Sequence, residues 1–218
     1  MNEEALIMPD ADESPSLEGN EQTGQNERNE RVEAPVLLLP GLVIMPGMTA
    51  PLQVSQPRAL RAVSDAIRHG SGFILLLPRP PEEADEPRFP VDLRPEESIG
   101  LLGHIERLSP LDEGGQQVVV EGVARMRLLR KTQDDPYYRA EAVRVQVEEE
   151  ITPEVQESMN RLIATIELYL ELTPGLPQGL AAYIRSLTSP GQLADHVAFT
   201  PELDYAQRYD LLAELDPA

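Results

Sequence analysis

The stretch Val36-Leu37-Leu38-Leu39-Pro40-Gly41-Leu42-Val43-Ile44-Met45-Pro46-Gly47-Met48-Thr49-Ala50-Pro51-Leu52-Gln53-Val54 constrains the fold more than any other part of the chain. It is apolar throughout yet broken by proline and glycine at short intervals. Residues 36–39 read as a short buried strand, and Pro40-Gly41 as a turn in which proline sets φ and glycine relaxes it. A second apolar run, 42–45, stops at Pro46-Gly47, and a further strand follows over 50–54. Proline cannot donate to a central ladder, so this stretch is not one long strand. It has to wrap, as the opening strands of a small closed sheet do.

Beyond it the periodicity changes. Ala59, Leu60, Val63, Ala66 and Ile67 recur at three and four, which predicts a helix over 56–69 stopped by Gly70. Phe73 to Leu77 reads as a buried strand ended by Pro78. The proline- and acid-rich residues 78–97 read as a long exposed loop. Ile99 to Leu108 is a strand bent at Gly100 and Gly103; Asp112-Glu113-Gly114-Gly115 marks a hairpin turn. Val118-Val119-Val120 resumes the ladder, Gly122 interrupts it, and Val123 to Leu129 continues. Tyr138 to Val147 alternates with Tyr138, Ala140, Ala142 (or Val143), Val145 and Val147 near one face. After Glu150 the chain turns helical. Thr152-Pro153 is an N-cap followed by proline at the first helical position, and that helix ends near Pro174-Gly175. Further helices are predicted around Leu180–Leu187, from Ser189-Pro190 to Val197, and from Tyr205 to Leu215, a bundle of four. Strands first and helices last is the α+β pattern. The predicted organisation is a disordered acidic tail over 1–33, a β-rich domain over 34–150 and a helical bundle over 151–218.

Charge and composition exclude whole classes of function. The net charge is −20, and residues 1–33 hold ten acids against Arg28 and Arg31, which is −8 and leaves −12 on the rest. Phosphate backbones are repelled by such a surface, so nucleic acid is not an expected partner. Cysteine is absent, which removes disulfide and thiolate chemistry. The first residues carry no signal-peptide pattern and no run reaches membrane-spanning length, so the expected location is cytoplasmic, without a membrane partner.

Several segments, in order and spacing, resemble the N-terminal domain of the Lon protease family. Met45-Pro46-Gly47 stands where that family usually has Phe-Pro-Gly, although Leu38 and Pro40-Gly41 replace its usual Pro and Arg-Asp. Ser98 to Ile105 resembles its Val-Gly-Thr-Val-Ala-x-Ile strand, with Leu101 for the threonine. Val120-Glu121-Gly122-Val123-Ala124-Arg125-Met126-Arg127-Leu128 is similar to its Val-x-Gly-x-x-Arg-x-x-Ile/Leu strand, the most specific of the short matches. Pro136 to Ala140 resembles Pro-Tyr/Phe-x-x-Ala, and Leu193-Ala194-Asp195-His196-Val197-Ala198 resembles Leu-Ala-Asp-x-Ile/Val-Ala. Asp210 to Asp216 resembles the stretch before the helix that leads into the ATPase. The likeness covers residues 34–218. It implies a PUA-like pseudo-barrel packed to a helical bundle. It also implies a part in recognising unfolded or damaged proteins for an ATP-dependent serine protease built as a homohexameric ring, part of protein quality control. The alternative is a stand-alone binding or adaptor protein of this fold with no protease attached. A hydrolase or RNA-binding reading fits poorly.

Catalysis is not expected of the chain itself. The sequence has no Gly-x-x-x-x-Gly-Lys-Ser/Thr phosphate loop, and its only lysine, Lys131, lies beside Arg130 and Asp134 where it stays a solvated ammonium. ATP and magnesium are therefore expected only in the ATPase module that the resemblance places after this region. His69, His104 and His196 lack the short spacing of a metal site. Arg125 and Arg127 are expected to pair with acids such as Glu121, and Asp195 to act as a structural lock. For substrate contacts the candidates are Leu42, Ile44, Met45 and Met48, around a turn that belongs at the surface. Flexible thioethers suit a surface that accepts many apolar segments, but they also fill gaps beneath a barrel, and composition alone favours packing.

Overall fold

A computed structural model describes residues 31–69, 71–85, 87–90, 98–112, 114–145, 151–173, 179–198, 200 and 203–215. The tail over 1–30, Gly70, the stretch 91–97, Val147 and Pro174-Gly175 lie outside the described residues. Six strands and five α-helices follow in the order β1 (Arg31–Pro40), β2 (Thr49–Val54), α1 (Pro57–Arg68), β3 (Phe73–Arg79), β4 (Ile99–Pro110), β5 (Gln116–Gln133), β6 (Arg139–Arg144), α2 (Pro153–Leu172), α3 (Leu180–Ser186), α4 (Pro190–Val197) and α5 (Tyr205–Ala213). β3 runs parallel to β1, and all other pairings are antiparallel. Because β6 pairs with β1 at Arg31–Pro35 and with β5 at Met126–Gln133, strands β5, β4, β3, β1 and β6 close into a ring. β2 joins β5 at Gln116–Glu121, on the side that β6 takes over further along.

The apolar run of β3 is buried on both faces. Ile74 and Leu76 join a large core with Leu37, Leu39, Ile44, Met45, Val63, Val118 and Val120, while Leu75 and Leu77 join a second core with Ala34, Val36, Met126, Leu128, Ala140 and Ala142. A strand covered on both sides reads as continuous rather than alternating, as residues 73–77 do. α1 covers the first core with Ala62, Val63 and Ala66. Ile67 stays exposed. On β6 it is Ala142 rather than Val143 that continues the buried face.

Four boundaries differ from the sequence reading. Residues 31–33 belong to β1 rather than to the tail, since they pair with Glu141–Val143, and the Glu33 carboxylate accepts from Thr132 Oγ1 at 2.9 Å. β3 continues through Pro78 to Arg79, because Gly41 N–H donates to the Arg79 carbonyl. Arg79 thus faces β1 and the Pro78 nitrogen faces β4, whose pairing has already ended at Leu76. Residues 78–97 are not simply an exposed loop: Pro81–Glu83 forms a 3-10 turn, and Phe89 is buried with its ring 5.6 Å from that of Tyr138. β5 runs through Gly122 without the expected interruption, as one 18-residue strand.

Gly122 shows why β5 needs its glycine. A Cβ placed there would strike the Met45 carbonyl oxygen and a Leu101 methyl. The backbone of the 42–48 segment crosses β5 at this point, with Gly47 N–H donating to the Gly122 carbonyl and Gly122 N–H to the Met48 carbonyl, both at 2.8 Å. Gly122→Ala is expected to cost about 3 kcal/mol, the upper range for overpacking, since backbone cannot move aside as a side-chain tip can. A urea midpoint within error of the parent would refute this account.

The helical part divides three to one. Thr152 and Ser189 cap α2 and α4 with their hydroxyl oxygens, accepting from Val155 and Gln192 N–H, and Asp204 with Gln207 forms a capping box on α5. Met159, Ile184 and Leu193 bind α2, α3 and α4 into a small core of their own. α5 instead sends Leu212 into the barrel's main core, with Tyr205, Tyr209 and Leu211 packed beside it. The fourth helix of the expected bundle is thus part of the barrel's covering layer.

Candidate functional site

The turn that carries the candidate substrate residues folds inward. Val43, Ile44 and Met45 are buried beneath it, Ile44 and Met45 at 1% exposure each, whereas Leu42 and Met48 are half-buried at the rim of the same core. Gly47, with φ +75°, makes the reversal, and Met48 N–H donates to the Met45 carbonyl at 3.1 Å. The expectation that all four residues share an exposed patch is corrected for Ile44 and Met45. Docking of this backbone onto Gly122 directs those two side chains into the barrel, because the tip of a turn is at the surface but its flanks need not be.

Leu42 faces something else. An open cleft of about 370 Å³ lies between the last residues of β1 and the far edge of β2. Leu37–Pro40 and Leu42 form one wall and Pro51–Gln56 the other, with Ala59, Ala84 and Pro87 completing it. No lining residue is ionisable, although charged residues make up 26% of the sequence. The loop bearing Ala84 is anchored by a fork from Arg79, whose Nε and Nη2 donate to Glu83 at 2.9 and 2.7 Å. That hydrogen bond holds the Glu83 carboxyl below its usual pKa against the opposing effect of desolvation. The folded-state value is depressed, so the pair's contribution is full above the ordinary carboxylate range and fades as pH falls through the lowered value.

Two of the family-like sequence motifs meet in space. Arg125 on β5 donates from Nη1 and Nη2 to the two carboxylate oxygens of Asp195 on α4, at 2.9 and 2.5 Å. Its Nε donates to the Leu212 carbonyl at 3.0 Å and Nη2 also to that of Leu211 at 3.2 Å, so it satisfies carbonyls in the last turn of α5. Both side chains are largely buried. One guanidinium therefore joins barrel, α4 and α5. The expected lock at Asp195 is present, but the partner of Arg125 is this distant carboxylate rather than Glu121.

The remaining candidates are structural. His69 caps α1 with its Nε2 3.3 Å from Asp65, and His104 packs against Phe73 at 5.2 Å between ring centroids. His196 Nδ1 lies 2.7 Å from the Gln192 carbonyl, to which it donates, and Nε2 lies 2.7 Å from the Tyr183 hydroxyl. Lys131 donates to Asp134 at 2.5 Å and reaches the faces of Phe89 and Tyr138, a partnered surface ammonium. Among the described residues there is no group of three or more acids and histidines placed to hold a metal, and no helix long and apolar enough to cross a membrane.

A family described as the "ATP-dependent protease La (LON) substrate-binding domain" matches residues 33–218. The chain belongs to this Lon substrate-binding domain family. The Lon protease of Chloroflexus aurantiacus is 32% identical over 217 residues, a match that covers 99% of this chain and 25% of that protein. The chain thus spans about a quarter of the length of the Lon protease it matches. Among solved structures, the N-terminal domain of Mycobacterium avium complex Lon protease is 25% identical with a TM-score of 0.68, covering 85% of this chain and 92% of that one. A Lon N-terminal domain protein from Xanthomonas campestris, 22% identical with a TM-score of 0.59 over 85% of this chain and 92% of that one, shares the fold. Within the Lon motif strand, Gly122 allows the crossing of the first turn and Arg125 makes the lock to the Leu-Ala-Asp helix. The cleft escaped the sequence reading. Its traces are Pro40 and Pro51, prolines placed where the end of β1 and the outer edge of β2 pair with no described strand.

Proposed function

We propose that this chain is the substrate-recognition region of an ATP-dependent Lon-type serine protease, binding unfolded or damaged proteins that the parent enzyme degrades. In this reading the chain contributes no chemistry: ATP, magnesium and the serine nucleophile belong to the parent's ATPase-protease ring. Six copies on a homohexamer would convert weak contacts into useful avidity through effective concentration. The observation that carries the reading is a cleft without a single ionisable side chain in its lining, on a chain of net charge −20. A charged group finds no counter-charge there and would lose its hydration, whereas the uncharged segments that native proteins bury meet no such cost.

Titration of labelled casein, an unfolded acidic protein, tests it. The chain should bind casein more tightly than a compact native protein, and binding should strengthen with moderate salt, because the chain's negative field opposes an acidic partner at long range. Binding that collapses as salt rises would place ionic contacts in charge and end the apolar mechanism.

A further inference from the structure

The walls of the cleft are strand edges, and the hydrogen bonds show which backbone groups they present. Gly122 N–H donates to the Met48 carbonyl, which fixes the parity of β2: the Met48 carbonyl and the backbone groups of Ala50, Leu52 and Val54 turn toward β5, while Thr49, Pro51 and Gln53 turn theirs away. Pro51 agrees, since its missing N–H falls on the side that needs no donor. On β1, Val36 N–H donates to the Tyr138 carbonyl and Gly41 N–H to the Arg79 carbonyl. Leu37 and Leu39 therefore face β3, and Leu38 and Pro40 face the other way. There β6 has ended its pairing at Pro35, and no described strand lies beyond it. The N–H and C=O of Leu38 and of Gln53 thus border one cleft from opposite sides, with only carbonyls at Pro40 and Pro51.

We propose that this cleft takes a short, extended, uncharged segment of an unfolded polypeptide as an added strand, its backbone paired with Gln53 and Leu38. The inference rests on the substrate-binding reading and specifies how substrate is held. Backbone pairing supplies affinity without regard to sequence, and the uncharged walls supply the bias against charge. A folded protein has its strand backbones already paired, so selection for unfolded chains follows from the same geometry. Proline at positions 40 and 51 leaves, where each strand borders the cleft, one residue that both donates and accepts, Leu38 on β1 and Gln53 on β2. This blunts edge-to-edge aggregation and keeps each contact weak enough for substrate to be passed on.

The test uses the 218-residue chain and a labelled, end-capped peptide of alternating threonine and valine, with a second peptide methylated at alternate backbone nitrogens. The parent peptide should bind and displace casein, and the methylated peptide, which keeps the side chains but loses the donors, should bind about five- to tenfold more weakly. Gln53→Pro removes the outward donor at a position of the same parity as Pro51, and should weaken the parent peptide by a similar factor with the thermal melt unchanged. Should that variant fail to fold, the two peptides on the unaltered chain still decide. Equal affinity for the methylated and parent peptides, or casein binding without peptide binding, overturns strand addition and leaves the substrate-binding reading standing. Binding of neither casein nor peptide overturns both.

Discussion

Replacing Arg125 with Met is expected to cost about 3–5 kcal/mol of folding stability, because it leaves the Asp195 carboxylate buried without its counter-charge. The same change strips the Leu211 and Leu212 carbonyls of the donor that satisfies them. Arg125→Lys should recover only part of the loss, since an ammonium cannot serve a carboxylate fork and two carbonyls in one plane. Combining Arg125→Met with Asp195→Leu should be milder than the sum of the two single changes, because the second removes the stranded charge. Equilibrium urea unfolding of the two singles and the double closes the cycle. Additive losses, or a single-variant loss under about 1 kcal/mol, would mean that the pair is not the lock its geometry describes. The stakes are architectural. Helix α4 shares the small helical core with α2 and α3, so this side chain, together with Ala198 in the main core just beyond α4, ties that helical core to the barrel.

What was legible in the sequence was local. The start of β3, α1 and the caps at Thr152 and Ser189 follow from periodicity and from groups within four residues of one another, and each falls where those signals put it. The lock was half legible. Arginine and aspartate each stood in a family-like motif, but the pairing spans 70 residues and depends on where α4 docks, which no spacing encodes. Pro78 misled because a proline ends a strand only if its nitrogen faces a ladder, and that depends on where β4 stops pairing. The cleft was illegible for a related reason: it exists where β6 ends its pairing on β1 and β2 has no second neighbour among the described strands, a property of the closed ring rather than of any segment. Of the four substrate candidates, only Leu42 lines it.

Met45 converts that misreading into a measurement. Its side chain sits in the main core with 1% of its surface exposed, so Met45→Ala should cost about 2–5 kcal/mol, the range for emptying a large buried side chain. Casein affinity of the fraction that remains folded should not change, since Met45 presents no surface to a partner. Met48, half-buried at the rim of the same turn, should lose less on truncation because solvent already reaches it and fills the space. One denaturant melt and one casein titration on each variant separate stability from affinity. A Met45→Ala protein that melts like the parent but binds casein poorly would return this residue to the substrate surface and require the turn to open in solution. A large stability loss with intact affinity would fix the turn as a plug beneath the barrel, and leave contact with substrate to the neighbouring cleft.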